Sequence, residues 1–115
     1  MVVIGNVLLR YNGSSKELVI PEGIYMIGIN AYNSYTIEKI TLPSTVEVIG
    51  DKAFINCKNL KTVIFNSKIA PDITKETFKK SVTLYVLDGY IDRYKRTVLY
   101  MFIENEILEI KDLKE

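Results

Sequence analysis

The segment Leu18-Val19-Ile20-Pro21-Glu22-Gly23-Ile24 returns in kind as Ile40-Thr41-Leu42-Pro43-Ser44-Thr45-Val46, 22 residues further on. The same offset carries Ile27-Gly28 onto Ile49-Gly50, Ala31-Tyr32 onto Ala53-Phe54, and Tyr35 onto Cys57. It then becomes 23, taking Ile37 onto Leu60 and Ile40 onto Val63, so a one-residue gap is expected between Tyr35 and Ile37. Val63-Ile64-Phe65 opens a third copy with Asn66 in the proline place, after which the pattern fades. A unit this short cannot bury its own apolar edge. Its copies must therefore stack, and the fold is a solenoid rather than one irregular core.

Each repeat position has a physical reason. Alternation in Leu18-Val19-Ile20 and Ile40-Thr41-Leu42 predicts a short strand with one buried face, ended by a proline that offers no ladder donor. The three-residue spacing of Ile24 and Ile27, and of Val46 and Ile49, predicts a tight 3₁₀-like turn. Gly28 and Gly50 are then expected to bend the chain at positive φ. Ala31 and Ala53 suit a crowded spot, and the aromatic after each fills the space beside it. Tyr32, Tyr35 and Cys57 are expected to point inward.

The ends read as caps. Val7 to Tyr11, the Asn12-Gly13-Ser14-Ser15 turn and Lys16 to Ile20 predict a hairpin over the first coil. Pro71, with Lys68, Asp72 and Thr74 around it, marks a loop between repeat core and C-terminal cap. Val82 to Val86 predicts a strand, and Asp88 an N-cap for a helix running to about Tyr100, with Ile91, Tyr94 and Val98 on its inner face. Ile107 to Ile110 predicts a last short strand. The division expected is a single domain over 1–115, with a hairpin cap at 1–17, repeats at 18–66 and a C-terminal cap at 67–115.

At these residues the chain resembles the BspA-like leucine-rich-repeat family. Ile40 through Val63, ITLPSTVEVIGDKAFINCKNLKTV, is similar at nearly every position to that family's repeat of about 23 residues. Ile20-Pro21-Glu22-Gly23-Ile24 and Ile27-Gly28 resemble it again. The resemblance implies an α/β fold of little helix: a short right-handed solenoid with parallel strands on its concave face. It also implies repeats that serve as recognition or adhesion surfaces, as in bacterial and protist surface proteins.

Composition narrows the chemistry. Fifteen Lys and Arg against 14 Asp and Glu leave a net charge of +1, without the basic excess of a nucleic-acid binder or a polybasic membrane anchor. No run of apolar residues reaches the roughly 20 needed to span a bilayer, so membrane insertion is not expected. No export signal is visible at the start. The expected location is therefore the cytoplasm if the chain is complete, and the cell surface or outside if it belongs to a longer exported protein. With no histidine, Cys57 lacks a base to make it a nucleophile, and zinc lacks its usual ligands. There is no phosphate loop and no GxSxG, and Glu104 with Glu106 reads as solvated charge. Asn12-Gly13-Ser14 fits a glycosylation sequon as well as a turn. No catalytic residue, metal or cofactor is expected, and the chain reads as a non-enzyme.

Strand alternation assigns the outward positions. These are Glu17 and Val19, Lys39 and Thr41, Thr62 and Ile64, and Thr83 and Tyr85, with Glu109 as a further member. Val19, Ile64 and Tyr85 are apolar at positions that face solvent. Such residues occur on exposed strands through β-propensity alone, and they also make the apolar centre of a binding patch. The expected function is recognition of another protein through this ladder, with self-association as a further possibility. A structural role as the terminal piece of a larger surface protein stands as an alternative, and a small carboxylate-based enzyme or regulator as another. Tyr90, Arg93 and Arg96 on the cap helix offer a rival surface.

Overall fold

Residues that alternate in polarity over three or four positions, each run closed by a turn, stack edge to edge as parallel strands. The computed structural model describes residues 2–10, 15–32, 34–73, 76–96 and 105–114. Strands β1 (Val2–Ile4), β2 (Val7–Arg10), β3 (Glu17–Val19), β4 (Met26–Ile27) and β5 (Lys39–Leu42) are followed by β6 (Val48–Ile49), β7 (Thr62–Phe65) and β8 (Thr83–Val86). Helix α1 (Ile91–Lys95) and strand β9 (Ile107–Glu109) complete the elements, before a 3₁₀ turn at Ile110–Asp112. Two sheets result. One is β3-β5-β7-β8-β9, parallel throughout; the other is β1-β2-β4-β6. The chain is a β-solenoid of about four turns with little helix.

The register aligns like with like. Leu18, Ile40, Val63, Leu84 and Ile107 form one inward row, and Leu42, Phe65 and Val86 the next. Both rows are buried. An aromatic column fills the space behind them: Tyr32 stacks on Phe54 at 4.9 Å and Phe54 on Phe78 at 5.2 Å. Phe65 meets Phe78 and Tyr94 edge-on at 6.2 and 5.8 Å. Each such pair contributes about 0.5–1.5 kcal/mol beyond the area it buries. The third coil therefore does not end at Phe65. Val48 pairs with Asp72 and Phe54 stacks on Phe78, both 24 residues on, while Val63 pairs with Leu84, only 21 on. An insertion before Asp72 and a deletion after Phe78 hide this coil from a search at fixed offset. Pro71 and Asp72 thus belong to a coil, not to a loop between core and cap.

Several local expectations are corrected. The hairpin pairs β1 with β2 through Gly5-Asn6, while β2 and β3 lie in different sheets. Gly5 takes φ +59 and supplies the turn that Asn12-Gly13 was expected to make; residues 11–14, sequon included, lie outside the described residues. The tight turn spans Pro21–Ile24 and Pro43–Val46, closed by the amides of Ile24 and Val46 on the proline carbonyls. Ile24 to Ile27 is instead extended, entering the second sheet. Gly28 and Gly50 do not take positive φ; Asn30 (φ 53) and Lys52 (φ 58) do. Gly50 is needed for closeness instead, since a Cβ there would lie 2.6 Å from the Ile29 nitrogen of the coil before.

Tyr35 is 62% exposed, and Ser34 takes the inward place that matches Cys57. The gap thus falls between Tyr32 and Ser34. Ser34 Oγ accepts from the Ile37 amide at 3.3 Å, which stabilises the shorter corner. Asp88 does not cap α1, whose N-cap is Tyr90 and which ends at Lys95. The Asp88 carboxylate instead accepts the Lys111 amide at 2.9 Å. Val98 lies outside the described residues.

Tyr94 locks α1 to the third coil. It is fully buried, and its hydroxyl donates to the Ser67 carbonyl at 2.7 Å and lies 2.9 Å from Ser67 Oγ. Burial pushes its phenol up from 10.0 to about 12, against a smaller opposing effect of the Ser67 hydrogen bond. Its folded-state value is thus above its unfolded one. The stability it contributes is complete below pH 10 and is lost as pH rises through 12, by on the order of 2–3 kcal/mol. Tyr94→Phe should cost about 1–2 kcal/mol at neutral pH and flatten that alkaline loss. Urea melts of both proteins across this range check it; parallel pH curves for the two would refute the assignment.

Candidate recognition surface

Parallel pairing in constant register turns single outward residues into rows. Glu17, Lys39, Thr62 and Thr83 are successive partners along the five-stranded sheet, so a polar row crosses four strands. Val19, Thr41, Ile64, Tyr85 and Leu108 form a second, mostly apolar row beside it. All eight residues expected from the sequence therefore share one face. Leu108 replaces Glu109 as the fifth member, because Ile107 pairs with Leu84 and sets the phase of β9. Glu109 stands level with Val86, and its carboxylate accepts the Gly89 amide at 2.6 Å.

Exposure along the face is uneven. Val19, on the outermost strand, is 69% exposed, whereas Ile64 retains only 8%. Thr41, Thr62, Thr83, Tyr85 and Leu108 are half-buried, and Glu17 is exposed. Ile64 is thus a correction to its reading as a solvent-facing residue. Alternation fixes the side of the sheet a residue takes, not how deeply a residue on a central strand is covered. Leu113 and Lys114 lie over the start of the strands, where with Glu17, Lys39, Thr62 and their neighbours they line an open cleft of about 300 Å³.

A second concavity lies where the strand-ending turns stack. It has a volume of about 840 Å³ and includes Asn6, Tyr25, Thr45, Glu47, Ser67 and Ile69 in its wall. Its turns are tied across coils: Ser44 Oγ donates to Glu22 at 2.7 Å, and Gly23 donates to Thr45 Oγ1 at 3.0 Å. The Ser44 hydrogen bonds hold the Glu22 carboxyl below its ordinary value. The sequence carried one signal for this groove, the apolar Ile69 among the turn-forming residues before Pro71, which the structure leaves 79% exposed. The rival cap surface is engaged locally, since the Arg93 guanidinium sits 5.2 Å from the Tyr90 ring centre and Arg96 Nε donates to the Asp92 carbonyl at 3.3 Å.

The chemistry on these faces is that of contact. Cys57 is buried, and that burial raises its thiol above the ordinary value, which disfavours the nucleophilic thiolate. Among the described residues no group of three Cys, Asp or Glu side chains is placed to hold a metal ion, and no helix is long and apolar enough to cross a membrane.

Comparison with known families gives one match, the BspA type leucine rich repeat region, in six copies across residues 2–110. No curated protein and no solved structure matches the chain. Leucine-rich-repeat solenoids are typically non-catalytic and generally mediate protein–protein recognition. The family model covers nearly all of the described solenoid, including the third coil that a fixed offset loses. The chain belongs to the BspA-type leucine-rich-repeat family.

Proposed function

We propose that the chain is a non-catalytic module that recognises another protein through the face of its five-stranded sheet. The observation that supports this is the pairing of two unlike rows in constant register. A polar row of Glu17, Lys39, Thr62 and Thr83 runs beside an apolar row of Val19, Thr41, Ile64, Tyr85 and Leu108. An apolar strip with a polar border is the composition of a protein interface, where aromatic residues such as Tyr85 supply most of the affinity. Both signs of charge stand on the polar row, which suits a protein partner better than a polyanion.

The test is capture of a partner from lysate and medium of the source organism, followed by affinity measurement with Val19→Glu and Tyr85→Glu. Val19 is 69% exposed and Tyr85 half-buried, and neither belongs to the core; Ile64 is avoided because it is buried. Loss of the partner by about tenfold or more in Kd, with an unchanged circular dichroism spectrum, is the expected result. A partner held equally well by both variants would remove the face from consideration. Failure to capture anything would support the structural role, as a terminal unit of a larger surface protein.

A further inference from the structure

We propose that residues 110–114 form a strap that closes over the recognition face and must lift before a partner can dock. The inference rests on the recognition reading and adds a regulation to it. Four observations carry it. First, Ile64 occupies an outward row yet is 8% exposed, while Val19 in the same row is 69% exposed. Second, Glu109 ends β9 level with Val86, at the far end of the strands, whereas Leu113 and Lys114 border the cleft at Lys39 and Thr62, at their near end. The segment between must therefore cross the sheet diagonally, and Tyr85 and Ile64 lie on that diagonal. Third, the 3₁₀ turn at Ile110–Asp112, closed by the Leu113 amide on the Ile110 carbonyl, turns the chain out of the line of β9, as a return across the face requires.

The fourth observation concerns the fastening. The strap is held at its root by hydrogen bonds between exposed groups, Lys111 N–H to Asp88 Oδ1 at 2.9 Å and Gly89 N–H to Glu109 Oε2 at 2.6 Å. The Lys111–Glu109 ion pair at 3.7 Å ties the segment to the end of β9, with the Lys111 side chain largely in solvent, so it adds little to the hold. Beyond this root the strap contributes Ile110 and Leu113, both only half-buried. Water can replace each exposed hydrogen bond, and two half-buried side chains form a small apolar contact. A segment fastened this way opens locally, without unfolding the coils beneath.

The experiment compares the 115-residue chain with its Leu113→Asp variant, using 8-anilinonaphthalene-1-sulfonate as probe and hydroxyl-radical labelling of Tyr85 as a second readout. A lifted strap should raise dye fluorescence by about threefold, because it uncovers a contiguous apolar strip. Tyr85 labelling should rise with it, while the circular dichroism spectrum and melting temperature stay unchanged. Unchanged dye and labelling in a folded variant would overturn the proposal, since Ile64 would then be covered by its sheet neighbours. A variant that loses its melt would overturn it as well, by showing that residues 110–114 are part of the cooperative fold. Neither readout involves a partner, so the strap and the recognition reading fail separately.

Discussion

Gly50→Ala is expected to destabilise the chain by about 3 kcal/mol, the upper end of overpacking costs. The added Cβ would lie 2.6 Å from the Ile29 nitrogen, 2.7 Å from the Gly28 carbonyl carbon and 2.9 Å from the Ile29 Cα. All three are backbone atoms of the neighbouring coil, so no side chain can rotate away. Nor can the backbone retreat. The Gly50 amide donates to the Ile27 carbonyl at 2.7 Å, the Gly50 carbonyl accepts from Ala53 at 3.2 Å, and Asn30 donates to the Asp51 carbonyl at 3.2 Å. The first and third of these bonds stack one coil on the next and the second closes the turn within the coil, and the methyl group must break some of them to fit. Gly23→Ala provides the contrast: its Cβ would meet nothing within 4 Å, and only its φ of +101 resists substitution. Urea melts should place Gly50→Ala well below Gly23→Ala. Equal midpoints for the two would refute the close-approach explanation.

Ending the chain after Val82 is expected to abolish folding. That cut removes β8, α1 and β9, and with them Leu84, Val86, Tyr94 and Ile107 from the core. At about 1.5–3 kcal/mol for each buried side chain, the loss alone approaches the whole stability of an ordinary domain, about 5–15 kcal/mol. It also strips the outer edge of β7 and exposes Phe65, which packs against Tyr94 at 5.8 Å. An unpaired edge beside uncovered aromatics favours aggregation over a folded remnant. A cooperative melt of residues 1–82 at the temperature of the full chain would contradict this.

The repeat was legible because its strands carry side chains to one face with a period of two, and stacking in register preserves that pattern between coils. Pro21, Pro43, Ala53, Phe54 and Cys57 all do what their spacing implies. The structure departs from the pattern where coils differ in length. Tyr35 was placed inward by an offset that had already shifted between Tyr32 and Ser34, and the coil holding Thr77 and Phe78 was lost between an insertion and a deletion. The four-stranded sheet was missed because its two-residue strands, Met26–Ile27 and Val48–Ile49, are too short to show alternation. Gly50 shows a different limit: a glycine chosen for closeness and one chosen for positive φ look alike in a sequence. The rows of the candidate face were readable as far as Tyr85, since alternation fixes which side each residue takes. The near-complete burial of Ile64 was not, because alternation fixes a residue's side of the sheet and not what packs over it.

The most direct test of recognition by the five-stranded face is hydroxyl-radical footprinting of the chain with its captured partner bound. The tyrosines report separate surfaces: Tyr85 marks the face, Tyr25 the groove where the turns stack, and Tyr35 the corner of the first coil. Partner binding should protect Tyr85 and leave Tyr25 and Tyr35 as reactive as in the free chain. Protection of Tyr25 or Tyr35 with Tyr85 unchanged would move the site off the sheet and contradict the account.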